Sequence, residues 1–148
     1  MHLLALAIAA LLLSAPAEAS AAQVPDLQAA HIAAHVAADE DFDDFMIRDL
    51  RSFLGVRAEE EVTFELLREG PTQSGVSFPK FYLWVRVLSA DGDHLRSGAV
   101  RVAALDRLRF EVTDFAGRGD SVSGTADPAS VFPAALVDRV RQRASLPE

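Results

Sequence analysis

The sequence predicts an α+β domain in which helices flank a single antiparallel sheet. Three observations carry that reading. Apolar residues recur at helical spacing from Leu27 to Phe53, the period drops to two after Gly55, and helical spacing returns after Pro133. Between these switches the connections are short, which keeps successive strands adjacent in a meander. A chain of 148 residues, half of them hydrophobic and a quarter charged, fits one globular domain rather than a disordered or repetitive protein.

The chain opens on an apolar run, Leu3 to Leu13, made only of Leu, Ala and Ile. A bilayer-spanning helix needs about 20 residues, whereas the hydrophobic core of a secretory signal needs ~7–15. Pro16 breaks the run, and Ala17-Glu18-Ala19 places small residues where a signal peptidase reads; Ala19-Ser20-Ala21 serves equally. The reading is a signal peptide over 1–19, cleaved after Ala19 or Ala21, followed by one domain over 20–148. Export to the periplasm, or full secretion, follows from that reading, with no stable membrane anchor after cleavage. Arginine outnumbers lysine thirteen to one, the single lysine being Lys80, a usage common in GC-rich bacterial genomes.

Pro25 suits the first turn of a helix. Leu27, Ala30, Ala34, Ala38, Phe42, Phe45, Met46, Leu50 and Phe53 follow at helical spacing, and Gly55 is placed to cap the end. The run is one helix or two. Carboxylates favour the positive end of a helix dipole, so Asp39-Glu40-Asp41 with Asp43-Asp44 points to a break and a fresh start nearby.

Alternation then marks four strands. Val62, Phe64 and Leu66 form the first. Phe81, Leu83, Val85 and Val87 alternate with Tyr82, Trp84, Arg86 and Leu88 in the second. Asp91-Gly92 signals a hairpin, because such turns call for positive φ. The third strand runs from about Leu95 to Leu105, and Leu108, Phe110 and Val112 form the fourth. Residues 117–130, rich in Gly, Ser, Asp and Thr, read as a flexible loop. Pro133 opens a last helix with Leu136, Val137, Val140 and Ala144 on one stripe. Helix followed by a curved meander resembles the cystatin-like and nuclear-transport-factor-like architectures in element order.

A net charge of −8 argues against nucleic acid, whose phosphates need a clustered positive field. The absence of cysteine excludes disulfides, thiolate metal sites and thiol nucleophiles. His31 and His35 sit one helical turn apart with Asp39 a further turn on, a spacing that lets two imidazoles and a carboxylate share zinc or nickel. A zinc hydrolase wants glutamate after the first histidine, and position 32 is Ile. The Asp39, Asp41, Asp43 series fails as a calcium loop, since its sixth and twelfth places hold Asp44 and Leu50. His94 stands beside the Asp91-Gly92-Asp93 turn, and no serine lies in a Gly-x-Ser-x-Gly elbow. Gly117-Arg118-Gly119 lacks the lysine of a phosphate loop.

The remaining feature is the sheet face opposite the large inward residues. Tyr82, Trp84 and Arg86 share it with Arg101 and Arg109, a composition enriched in interface cores. Either that face receives a protein partner or a second copy, or the C-terminal helix or the long loop before it covers Trp84. On the inward side, large apolar side chains favour a filled core over a ligand pocket. The expectation is a non-catalytic envelope protein that works by protein binding or self-association and carries no cofactor. The alternative is a binder of a small molecule or a metal ion.

Overall fold

The structure, a computed structural model, describes residues 19–119 and 127–148. Two helices come first, α1 (Ala19–His35) and α2 (Asp39–Leu54). Four strands follow, β1 (Glu61–Leu66), β2 (Lys80–Leu88), β3 (His94–Asp106) and β4 (Arg109–Gly117). A single 3-10 turn at Pro128–Ser130 leads to α3 (Ala134–Ser145). The strands form one antiparallel sheet in the order β1-β2-β3-β4. The α+β architecture is therefore the one that the changes of period predict. Among the described residues no helix is long and apolar enough to cross a membrane. The apolar run Leu3–Leu13 lies outside them.

The N-terminal helical run is two helices. The break falls at Val36–Ala38, and Asp39, Glu40 and Asp41 occupy the first turn of α2, where carboxylates meet its positive end. Gly55 ends α2 in the left-handed conformation, φ 60°, and its N–H reaches back to the Arg51 and Ser52 carbonyls. Pro25 does not open α1 as its residue type suggests. It lies inside a helix that begins at Ala19, where it withholds one backbone N–H from the helical ladder.

The sheet is covered on both faces. On one side α2 lays Met46, Leu50 and Leu54 against Val62, Phe81, Leu83, Val85, Val87, Val100, Val102 and Phe110. Phe42 is the keystone, its ring 5.0 Å from Phe81, 5.3 Å from Phe110 and 6.5 Å from Phe64 in tilted and edge-on contacts. The space between α2 and the sheet is thus filled by aromatic rings. Asp49 ties the same helix to the edge strand by accepting from the Phe110 backbone N–H at 2.7 Å. Arg48 donates to the Leu108 carbonyl at 2.5 Å, so β4 starts with its outer backbone groups occupied.

On the other side α3 presents Leu136, Val140 and Ala144 to Leu67, Tyr82, Trp84, Ala99 and Ala116, with Phe132 joining from the preceding turn. Three irregularities bend β3 and its partners: Leu95, Leu105 and Thr113 are each left without a partner in the register. The third matters most for the site. Inserting Thr113 reverses the alternation along β4, so that Phe110 and Val112 face α2 while Ala116 faces α3. Leu108, placed on the fourth strand by its spacing, sits in the turn before β4 and is exposed.

Candidate functional site

The five residues proposed for a binding face are not left open together. Tyr82 and Trp84 are 4% and 1% exposed, because α3 lies across them. The Arg143 guanidinium stacks 5.2 Å from the Trp84 ring centre and pairs with Glu65 at 2.8 Å. Arg101 is committed to the chain itself, donating to Asp114 and to the Val131 carbonyl, the latter at 3.1 Å. Arg86 is half-buried at the register position of Thr63 and Ser97. Arg109 stands apart at the far end of β4 in a loose pair with Asp106 at 3.8 Å. The aromatic face is a second hydrophobic core, and the reading in which the C-terminal helix covers Trp84 is the one the fold adopts.

His31 and His35 do meet, with ring centres 4.3 Å apart. Asp39 does not join them, because the chain breaks between α1 and α2. Among the described residues no three His, Cys, Asp or Glu side chains gather in a group able to hold a metal. Groups with shifted titration, Arg48 beside Asp49 and Arg57 beside Glu60, belong to surface ion pairs.

An open cleft of about 520 Å³ lies instead at the end of the sheet where β3 begins and β4 ends. Leu95 and Phe115 form its apolar walls, and His94, Arg96, Ser97 and Arg118 supply its polar rim. Phe53, at the C-terminal end of α2, packs edge-on to Phe115 at 6.3 Å. Three large apolar side chains thus remain exposed near one another: Phe53 at 50%, Leu95 at 47% and Phe115 at 37%. The backbone geometry explains the concavity. Leu95 is the unpaired residue of a bulge, Thr113 turns Phe115 to the α2 side, and Gly98 leaves the Phe115 ring room to lie across β3.

The polar rim is held by its own fold. Arg96 donates to the Leu54 carbonyl at the end of α2. Arg118 donates to the Ala144 and Leu146 carbonyls at the end of α3, both at 3.0 Å. Cations at these places complement the negative ends of the two helices. The Ser97 hydroxyl donates to the buried Glu148 carboxylate at 3.0 Å. What remains for a ligand is chiefly apolar wall with donors at its margin.

Sequence periodicity missed this cleft because strict alternation sends Phe115 to the other face and counts Phe53 with the helical core. The one signal that pointed there was Gly98 in the middle of a strand, a position that often marks a close approach. No family model matches the chain, and no match to it was found among the curated proteins or the solved structures.

Proposed function

We propose that this chain is a non-catalytic, exported binding protein of the cell envelope that takes a small, predominantly apolar molecule. The observation that carries the reading is a cleft of about 520 Å³ walled by Leu95 and Phe115, with Phe53 packed edge-on against Phe115. Small-molecule sites typically measure ~300–1,000 Å³ and combine apolar walls with a few fixed polar groups. Binding rather than catalysis is favoured because Arg96, Ser97 and Arg118 already donate to carbonyls and a carboxylate of the chain. Export is proposed from the leader-like first nineteen residues. Cleavage after Ala21 would also place Pro25 in the first turn of α1, where a missing N–H costs nothing.

Assembly with a protein partner or a second copy, the first expectation from composition, loses the Trp84 face on which it rested. The test is native mass spectrometry of the protein recovered from its own envelope, beside a Leu95→Asp variant. The expected result is a mature chain carrying a small adduct that the variant lacks while keeping its fold. A bare chain, or a bare dimer, overturns the small-molecule reading, and the dimer restores self-association.

A further inference from the structure

The two histidines of α1 have an arrangement that neither the sheet cores nor the cleft uses. His31 and His35 are half-buried, one helical turn apart, with ring planes tilted at 39°. Each ring commits one nitrogen to a backbone carbonyl. His31 Nε2 lies 3.3 Å from the Ser77 carbonyl oxygen, and His35 Nδ1 lies 2.8 Å from that of His31. A carbonyl oxygen can only accept, so the nitrogen facing it bears the hydrogen. In the neutral rings the lone pairs therefore fall on His31 Nδ1 and His35 Nε2. Phe78, edge-on to His35 at 5.4 Å, further fixes that ring.

Donating the second ring N–H to a carbonyl is what metal-ligating histidines almost always do, because it sets the tautomer and the orientation of the ligating lone pair. Here both rings do so before any ion is bound. We propose that His31 Nδ1 and His35 Nε2 form a two-imidazole site for a borderline divalent transition cation of the zinc, nickel or copper class. Imidazole suits these ions, whereas calcium and magnesium call for oxygen ligands. With Asp39 on the far side of the helix break, the protein supplies two ligands and water completes the shell. Such a site exchanges its ion, unlike a four-ligand structural centre. It is independent of the cleft and of the small-molecule reading.

The test is calorimetric titration of the full chain with zinc alone in a non-coordinating buffer. One ion per chain is expected. His31→Ala and His35→Ala should each weaken binding at least tenfold, with His94→Ala unchanged. Far-UV circular dichroism checks that α1 persists, and His31→Gln serves if the alanine variant loses helix. Nitrogen-15 spectra of the imidazoles should show zinc perturbing His31 Nδ1 and His35 Nε2. No binding by the wild-type chain, equal affinity in the His31 and His35 variants, or ligation through the carbonyl-bonded nitrogens would each overturn the proposal.

Discussion

Gly98 offers the sharpest test of the packing that shapes the cleft. Its φ is not in the left-handed region, so alanine meets no intrinsic backbone penalty there. By itself Gly→Ala at such a position stabilises by about 0.4–1 kcal/mol, through the entropy of the unfolded chain. The surroundings reverse the sign. An added Cβ would lie 2.5 Å from the Ala116 carbonyl oxygen, 2.8 Å from Phe115 Cε2 and 2.9 Å from Gly117 Cα. Two of the three are β4 backbone, so a rotamer change of Phe115 cannot relieve the contact. The ends of β3 and β4 must part where Gly98 pairs with Gly117. Overpacking of this kind costs ~1–3 kcal/mol, which exceeds the entropic gain. A loss near 2 kcal/mol in a chain of this size lowers Tm by roughly 5–10 °C. Urea unfolding with an unchanged m-value should return the same figure, and the Phe115 ring resonances should move. Gly92→Ala is the control: φ is 85° with nothing within 4 Å, so its cost comes from conformation alone and leaves Phe115 undisturbed. A Gly98→Ala variant as stable as the wild type, with Phe115 unmoved, refutes this account of why the cleft exists.

Phe110→Ala should cost about 3–5 kcal/mol, since the ring is buried among Phe42 and Phe81. Arg141→Ala, which removes an exposed pair with Asp127, should cost no more than ~0.5 kcal/mol; similar melting shifts for the two would show the sheet to be out of phase. Trp84→Glu should fail to fold rather than merely dissociate an assembly, because a carboxylate would be buried under α3. Trp84→Phe should be tolerated far better, since the indole N–H has no hydrogen-bond partner among the described residues; a soluble, folded Glu variant would show that α3 does not cover this face. Glu60 accepts from the Arg57 backbone N–H at 3.0 Å and from its guanidinium at 2.7 Å, which holds its carboxyl below the usual range. The unfolded chain therefore takes up that proton at higher pH, so the contribution is complete above the ordinary carboxylate range and fades as pH falls through the lowered value. Glu60→Gln should lower the urea midpoint at neutral pH and converge with the wild type in acid; a constant difference would place the stabilisation elsewhere.

Most of the architecture was legible because local chemistry and tertiary packing agree. Gly55 stops α2 where its backbone conformation permits, Gly92 carries positive φ in the β2–β3 turn, and the inward residues of β2 occupy one face throughout. The hairpin is longer than its Asp-Gly signal implies, because Ser89 Oγ gathers the N–H groups of Asp91 and Asp93 into a wider loop. What alternation could not foresee is a shift of phase. A bulge is decided by pairing between strands, and Thr113 looks like any outward threonine until its hydroxyl is seen bonded to Arg101 across the ladder. From that single insertion follow the direction of Phe115 and the floor of the cleft. The histidine pair was legible as spacing, but the carbonyls that set its tautomers come from Ser77, 46 residues away, and from the backbone of α1 itself.

Composition alone could not separate an interface from an inner layer, since both want tryptophan, tyrosine and arginine at an apolar centre. Counting faces does separate them. A sheet buried on one side requires one apolar helical stripe, and this chain has two, Met46-Leu50-Leu54 on α2 and Leu136-Val140-Ala144 on α3. Each stripe left in water would expose several large side chains, so each needs a surface of its own. With α2 on the Phe81 side, the Trp84 side is the matching surface for α3, and Arg143 on that helix reaches Glu65 of β1 across the tryptophan ring. Both sheet faces are then satisfied internally. Among the apolar residues left exposed, Phe53 in the last turn of α2 lies beside Phe115. Leu95 and Phe115 lie at the sheet end beyond it, where α2 stops at Leu54 and the Arg118 side chain closes the end of α3. Leu27, Val76 and Leu108 are exposed elsewhere on the chain; what sets this group apart is that Leu95 and Phe115 wall a cleft, with Phe53 packed against Phe115, rather than standing singly.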